Sequence, residues 1–153
     1  MQDPPHDRPP SPRIAVTDQP SEAALACILD GLLAFNAALV GPAERRALAV
    51  VVSAEDGRPQ GGLSGFTAWG WLFIEKVWLA DVLRGQGLSG RLLVEAEAEA
   101  RRRGCHGAWL DTFNPAARTL YERQGYRVFG ELKDFPTGRS RTFLQKPLGP
   151  ATG

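Results

Sequence analysis

Cysteine is scarce. Cys27 and Cys105 are the only two in 153 residues, they lie far apart, and neither has a second Cys or His at metal-ligand spacing. No disulfide framework and no metal site is implied, and a reducing, cytoplasmic location is the plain expectation. An excess of charge is also missing. Eighteen basic side chains against seventeen acidic give a net charge of +1, without the broad positive footprint that nucleic-acid binding uses. Arginine outnumbers lysine fifteen to three, which is composition rather than a site. Nor is there an uninterrupted apolar span. Residues 23–40 come nearest, but Asp30, Gly31 and Asn36 interrupt them, and no basic segment or cleavage site precedes them. Leu25, Ile28, Leu29, Leu32 and Leu39 fall on one helical stripe, which reads as a soluble amphipathic helix rather than a membrane span.

What is there suffices for a core: 43% of the residues are apolar and 23% charged. That size and balance predict one domain and therefore one site. Five of the twelve prolines fall among residues 1–12, a composition that cannot pack and reads as a disordered arm. Residues 149–153 read as a tail, leaving 13–148 as the folded unit.

Residues 13–17 alternate like a short first strand, and Ser21 then caps a helix that ends by Gly41, with a break possible at Asp30 and Gly31. Residues 47–53 and 61–68 read as strands joined across Asp56-Gly57, and residues 71–79 as a third, so the first half is a helix laid on an antiparallel meander. Residues 87–103 turn helical, with Leu88, Leu92, Leu93, Ala96 and Ala100 inward, and with Glu97 and Glu99 paired to Arg101 and Arg103 on the solvent side. A buried strand at 108–112, a helix opened by Asn114-Pro115 and a closing hairpin of 126–132 and 141–148 complete an α/β plan with a mixed sheet.

The informative segment joins the third meander strand to the next helix: Arg84-Gly85-Gln86-Gly87-Leu88-Ser89-Gly90. Its glycines permit a sharp turn and close approach of a ligand to the backbone. Its unpaired amides at a helix N-terminus suit a phosphate or pyrophosphate. Gly85-x-Gly87-x-x-Gly90, with Asp111 twenty-one residues on, also matches a dinucleotide fingerprint. Against that reading, five residues separate Leu79 from Gly85, antiparallel strands come first, and too little chain follows Asp111 for further βαβ units.

Arg84-Gly85-Gln86-Gly87-Leu88-Ser89 resembles the R/Q-x-x-G-x-G/A signature of the GNAT superfamily of acyl-CoA-dependent N-acyltransferases, with Ser89 where Gly or Ala is usual. The strand Val77-Trp78-Leu79 ends five residues before Arg84. Asn114-Pro115-Ala116-Ala117-Arg118-Thr119-Leu120-Tyr121-Glu122-Arg123-Gln124-Gly125-Tyr126 looks like the family's N-x-x-A-x-x-L-Y-x-x-x-G-F, with Tyr126 for Phe. The resemblance implies a mixed, mostly antiparallel sheet flanked by helices, in which the strand ending at Leu79 and the strand at 108–112 splay apart around a bulge. It implies acetyl-CoA as co-substrate, no metal, and transfer of the acetyl group to a primary amine of a small molecule or peptide by direct attack in a ternary complex. In that scheme Val77, Trp78, Leu79 and Asn114 contact pantetheine, residues 84–90 hold the pyrophosphate, a backbone N–H near Leu79 polarises the acetyl carbonyl, and Tyr121 protonates the departing sulfur. A homodimer is compatible with it. A non-catalytic acyl-CoA-binding module on the same fold is the alternative, and retention of Tyr121 favours the enzyme.

The base is left open among Glu75, the only carboxylate in its β run, Asp111, and water. A bulge between Glu75 and Leu79 would flip the face each residue presents, so alternation cannot orient Glu75. Trp69, Trp71, Trp78 and Trp109 read mainly as core, with Trp69 or Trp71 as pocket-lining candidates. Cys105-His106 lacks the third group that a catalytic pair needs.

Overall fold

The computed structural model describes residues 11–150. The expected arm, apart from Ser11 and Pro12, and the last three tail residues lie outside that range. The chain divides into two units, 1–41 and 42–153.

In the first unit, residues 13–17 form no strand. Ile14 and Val16 are fully exposed, because alternation without a neighbouring ladder gives backbone N–H and C=O groups nothing to bond. Helix α1 (Glu22–Val40) starts where Ser21 accepts a hydrogen bond from the Ala24 amide at 3.1 Å. It runs unbroken through Asp30 and Gly31 and buries none of its side chains. By length and composition it is apolar enough to cross a membrane.

The second unit is a six-stranded sheet covered on one face by two helices. Strands β1 (Arg46–Ser53), β2 (Pro59–Ala68) and β3 (Trp71–Leu79) form the expected antiparallel meander. A short 3-10 turn, Asp81–Leu83, leads to α2 (Leu88–Arg102). Strand β4 (Gly107–Thr112), α3 (Pro115–Arg123), β5 (Arg127–Lys133) and β6 (Ser140–Pro147) follow. The order across the sheet is β1-β2-β3-β4-β6-β5, with β3 and β4 parallel and the other neighbours antiparallel. Leu48, Leu63, Leu72, Ile74, Ala108, Leu110 and Leu144 of the sheet meet Leu92, Leu93, Ala96 and Ala100 of α2 in one buried cluster, which Tyr121 and Tyr126 close at the α3 end.

One expectation about α2 is corrected. Glu97 is 2% exposed and faces inward rather than to solvent. Lys146 Nζ lies 2.7 Å from its Oε2, the Tyr126 hydroxyl donates to its Oε1 at 3.0 Å, and Arg101 is farther, at 3.8 Å. A buried carboxylate needs such partners, since an uncompensated charge is excluded from the interior. Arg103 anchors the helix end to β1, donating to the Ala47 carbonyl at 3.0 Å while holding Glu99 at 2.7 Å.

Candidate active site

A glycine in β2 sets the geometry. A Cβ on Gly65 would press into the carbonyl oxygen of Phe73, so only glycine lets β3 approach so closely. Opposite it, β3 carries one residue too many: Gly65 pairs with Ile74 and Ser64 with Lys76, leaving Glu75 as the extra residue of a bulge. The alternation flips there. Leu72 and Ile74 are buried before the bulge, while Val77 and Leu79 turn inward after it. The bulge anticipated between Glu75 and Leu79 therefore begins at Glu75 itself.

Beside the bulge the sheet opens. Strands β3 and β4 pair only through Trp71–Gly107, Leu72–Ala108 and Phe73–Trp109. Beyond those, residues 74–79 and 110–112 present facing backbone edges that do not bond each other. Main-chain groups left so are ready to bond an extended ligand as an added strand would. Val77, Trp78 and Leu79 lie on the stretch of β3 that borders this opening. Val77 and Leu79 also pack on the core, and Trp78 is 60% exposed.

The turn at the mouth braces itself. Arg84 Nε donates to the Leu79 carbonyl at 3.1 Å, its Nη1 lies 2.9 Å from Asp81, and Gln86 Nε2 donates to the Val82 carbonyl at 3.1 Å. Arg84 is thus a brace of the loop as well as a nearby cation. Gly85 and Gly87 have left-handed backbone, φ 76° and 71°, and a Cβ on either would meet nothing within 4 Å. Among the described residues no side chain caps the start of α2. Those features, with Leu88, Ser89 and Gly90 opening the helix, fit a pyrophosphate held by backbone amides. Gly90 also sets the packing of the helices: a Cβ there would crowd Gln124 at the end of α3, so the two helix ends sit close together.

Asn114 caps α3, its Oδ1 accepting from the Ala116 amide at 2.9 Å. Its side-chain amide donors have no partner among the described residues. Tyr121 lies on the inner face of α3, 7% exposed. Burial, and then the negative charge of Asp111, push its phenol above the ordinary value of 10.0. A tyrosine held protonated in this way can give a proton and is a poor base.

The two candidate bases separate. Asp111 accepts from Arg141 Nε at 2.7 Å, and Arg141 is correspondingly held in its charged form. That ion pair occupies the Asp111 carboxylate, so Asp111 reads as structural. Glu75 is exposed and makes no hydrogen bond or ion pair among the described residues, and Arg141 is held by Asp111.

The remaining candidates fall elsewhere. Trp109 stacks on Phe73 with ring centroids 3.9 Å apart, and Trp71 meets His106 edge-on at 5.3 Å. Trp69 sits in the β2–β3 turn beside Arg46 and Arg103, at the end of the strands away from the opening. Burial pushes the Cys105 thiol up, against any nucleophilic role. A cavity of about 530 Å³ that no sequence signal marked lies next to Asn114, between the start of α3 and the β5–β6 loop.

Comparison with known proteins identifies the family. Residues 14–126 match the acetyltransferase (GNAT) family. An acetyltransferase from Agrobacterium fabrum is 42% identical over 131 residues, covering 86% of this chain and 93% of its own. The blasticidin-S acetyltransferase of Streptomyces morookaense is 39% identical over 95 residues, 61% of this chain and 70% of that one. Among solved structures, an acetyltransferase from Bacillus cereus superposes with a TM-score of 0.79 at 27% identity, covering 88% of this chain and 98% of its own.

Proposed function

The chain belongs to the acetyltransferase (GNAT) family and is an acyltransferase, and on that premise we propose that it moves the acetyl group of acetyl-CoA onto a primary amine of a small molecule or peptide by direct attack. One observation carries the reading: β3 and β4 part after three pairs, directly inward of an uncapped, glycine-lined helix start and beside a buried, protonated tyrosine. That combination supplies an edge for pantetheine, amides for pyrophosphate and a proton for the leaving sulfur. The relative named for blasticidin S supports a small-molecule acceptor.

In the proposed reaction Val77 and Leu79 hold the donor by their main chain, with Trp78 between them and the side-chain amide of Asn114 adding a further contact. The Leu79 N–H polarises the acetyl carbonyl. The neutral amine attacks the carbonyl carbon, forming the C–N bond as the C–S bond breaks. Tyr121 gives its proton to the sulfur, and Glu75, directly or through water, takes the proton that the new amide sheds. Net proton exchange between the two groups through water restores both. No cysteine intermediate is needed, so acylated enzyme should not accumulate.

The test is release of free thiol from acetyl-CoA across an amine panel, alongside direct titration of acetyl-CoA. Turnover with some amine supports the reading. Tight donor binding with no turnover on any amine would instead support a non-catalytic acyl-CoA-binding module.

A further inference from the structure

Resting on that reading, we propose that the acceptor carries an oxyanion, a carboxylate or phosphate, and that the cavity beside Asn114 holds it. The cavity, partly open to solvent, measures about 530 Å³, larger than an acid group alone needs and suited to the body of a small molecule. Its charged lining is of one sign: Arg118 from α3 and Arg139 from the β5–β6 loop, with no carboxylate among the lining residues. Arg118 shares its charge with Glu122 at 3.3 Å. Arg139 has no side-chain partner among the described residues, so its guanidinium fork stays available. Hydroxyls of Thr112, Ser140 and Thr142 line the same wall. Arginine with hydroxyl donors is a set that recognises planar or tetrahedral oxyanions, and arginine binds them through paired N–H groups.

The position ties the cavity to the reaction. Thr112 ends β4, one wall of the opening, and Asn114 borders both the opening and the cavity. An acceptor seated there would bring its amine toward Tyr121 with its acid turned to Arg139. A purely cationic amine would meet uncompensated positive charge, which disfavours polyamine acceptors.

The experiment uses matched acceptors: phenylalanine against phenethylamine, and phosphoethanolamine against ethanolamine, each by thiol release with the wild type and Arg139→Gln. Arg139 is exposed on a loop, so the substitution should leave folding intact. The acid member should have kcat/KM higher by about tenfold or more, the worth of one charge-assisted hydrogen bond, and Arg139→Gln should bring the pair near parity. Equal rates, or preference for the amine without the acid, would overturn the proposal. So would a rise in the acetyl-CoA KM of Arg139→Gln that vanishes with 3′-dephospho-acetyl-CoA, because the cavity would then hold the donor's phosphate. If no amine is turned over, the function fails separately. The cavity is then judged by thermal shift with N-acetylphenylalanine against N-acetylphenethylamine: an acid preference lost in Arg139→Gln upholds the anion site, and its absence overturns it.

Discussion

Replacing Lys146 with methionine tests what holds α2 in place. The lysine nitrogen lies 2.7 Å from the Glu97 carboxylate, whose residue is 2% exposed, and the lysine side chain is itself 21% exposed. Methionine keeps most of the stem and deletes the charge. Glu97 would then retain one neutral donor, the Tyr126 hydroxyl at 3.0 Å, and a distant cation, Arg101 at 3.8 Å. Removing one partner of a buried pair costs about 3–5 kcal/mol, and the remaining arginine argues for about 3. That is a large part of the ~5–15 kcal/mol that holds a typical domain together. Urea unfolding followed by tryptophan fluorescence should show the midpoint falling by about 1–3 M, for slopes of roughly 1–3 kcal/mol per M. Adding Glu97→Gln to the same chain should recover part of the loss, since the orphaned charge disappears while Tyr126 keeps an acceptor. A loss below about 1 kcal/mol in the single variant, or a further drop in the double, would refute the view that Glu97 is a charge dependent on Lys146.

The other predictions concern the site. Tyr121→Phe should lower kcat by about 10²–10⁴ with little change in acetyl-CoA affinity; unchanged turnover in a stopped thiol assay removes it as the acid. Gly87→Val should weaken acetyl-CoA binding, measured by calorimetry, because a branched side chain resists φ 71° at a cost of about 1–3 kcal/mol and its bulk meets the ligand. Glu75→Gln should lower kcat by about 10²-fold or more with little change in acetyl-CoA affinity; unaltered turnover assigns that proton to water. The phenols of Tyr121 and Tyr126 are both held above 10.0 in the folded chain. Their contribution to stability is therefore complete below about pH 10 and is lost as pH rises beyond it. Thermal unfolding from pH 8 to 11 should show that decline, and Tyr126→Phe should reduce it.

The legible parts of the fold are those written locally. The glycine turn, the Ser21 and Asn114 caps and the Asp56-Gly57 hairpin each rest on a few adjacent residues, and all four appear where expected. What the sequence hides depends on distant partners. Residues 13–17 alternate well but have no ladder to join. Glu97 reads as a helix-surface partner of Arg101, because nothing near it announces Lys146, forty-nine residues on. A bulge is foreseeable but not its position, which Gly65 fixes from the next strand by meeting the Phe73 carbonyl. For the site, the motifs find the opening and Tyr121. The cavity beside Asn114 is invisible in the sequence because its walls come from two segments that no motif links.

The three-pair contact between β3 and β4 has a mechanical meaning. On one side of it stand β1, β2 and β3, continuous in sequence; on the other stand β4, β6 and β5, also continuous. Each half is internally laced by long antiparallel ladders, so the sheet behaves as two stiff leaves joined by a short spine. A donor lying in the gap would bond both leaves at once and act as a rivet between them. Substrate binding and the rigidity of the whole sheet would then rise and fall together.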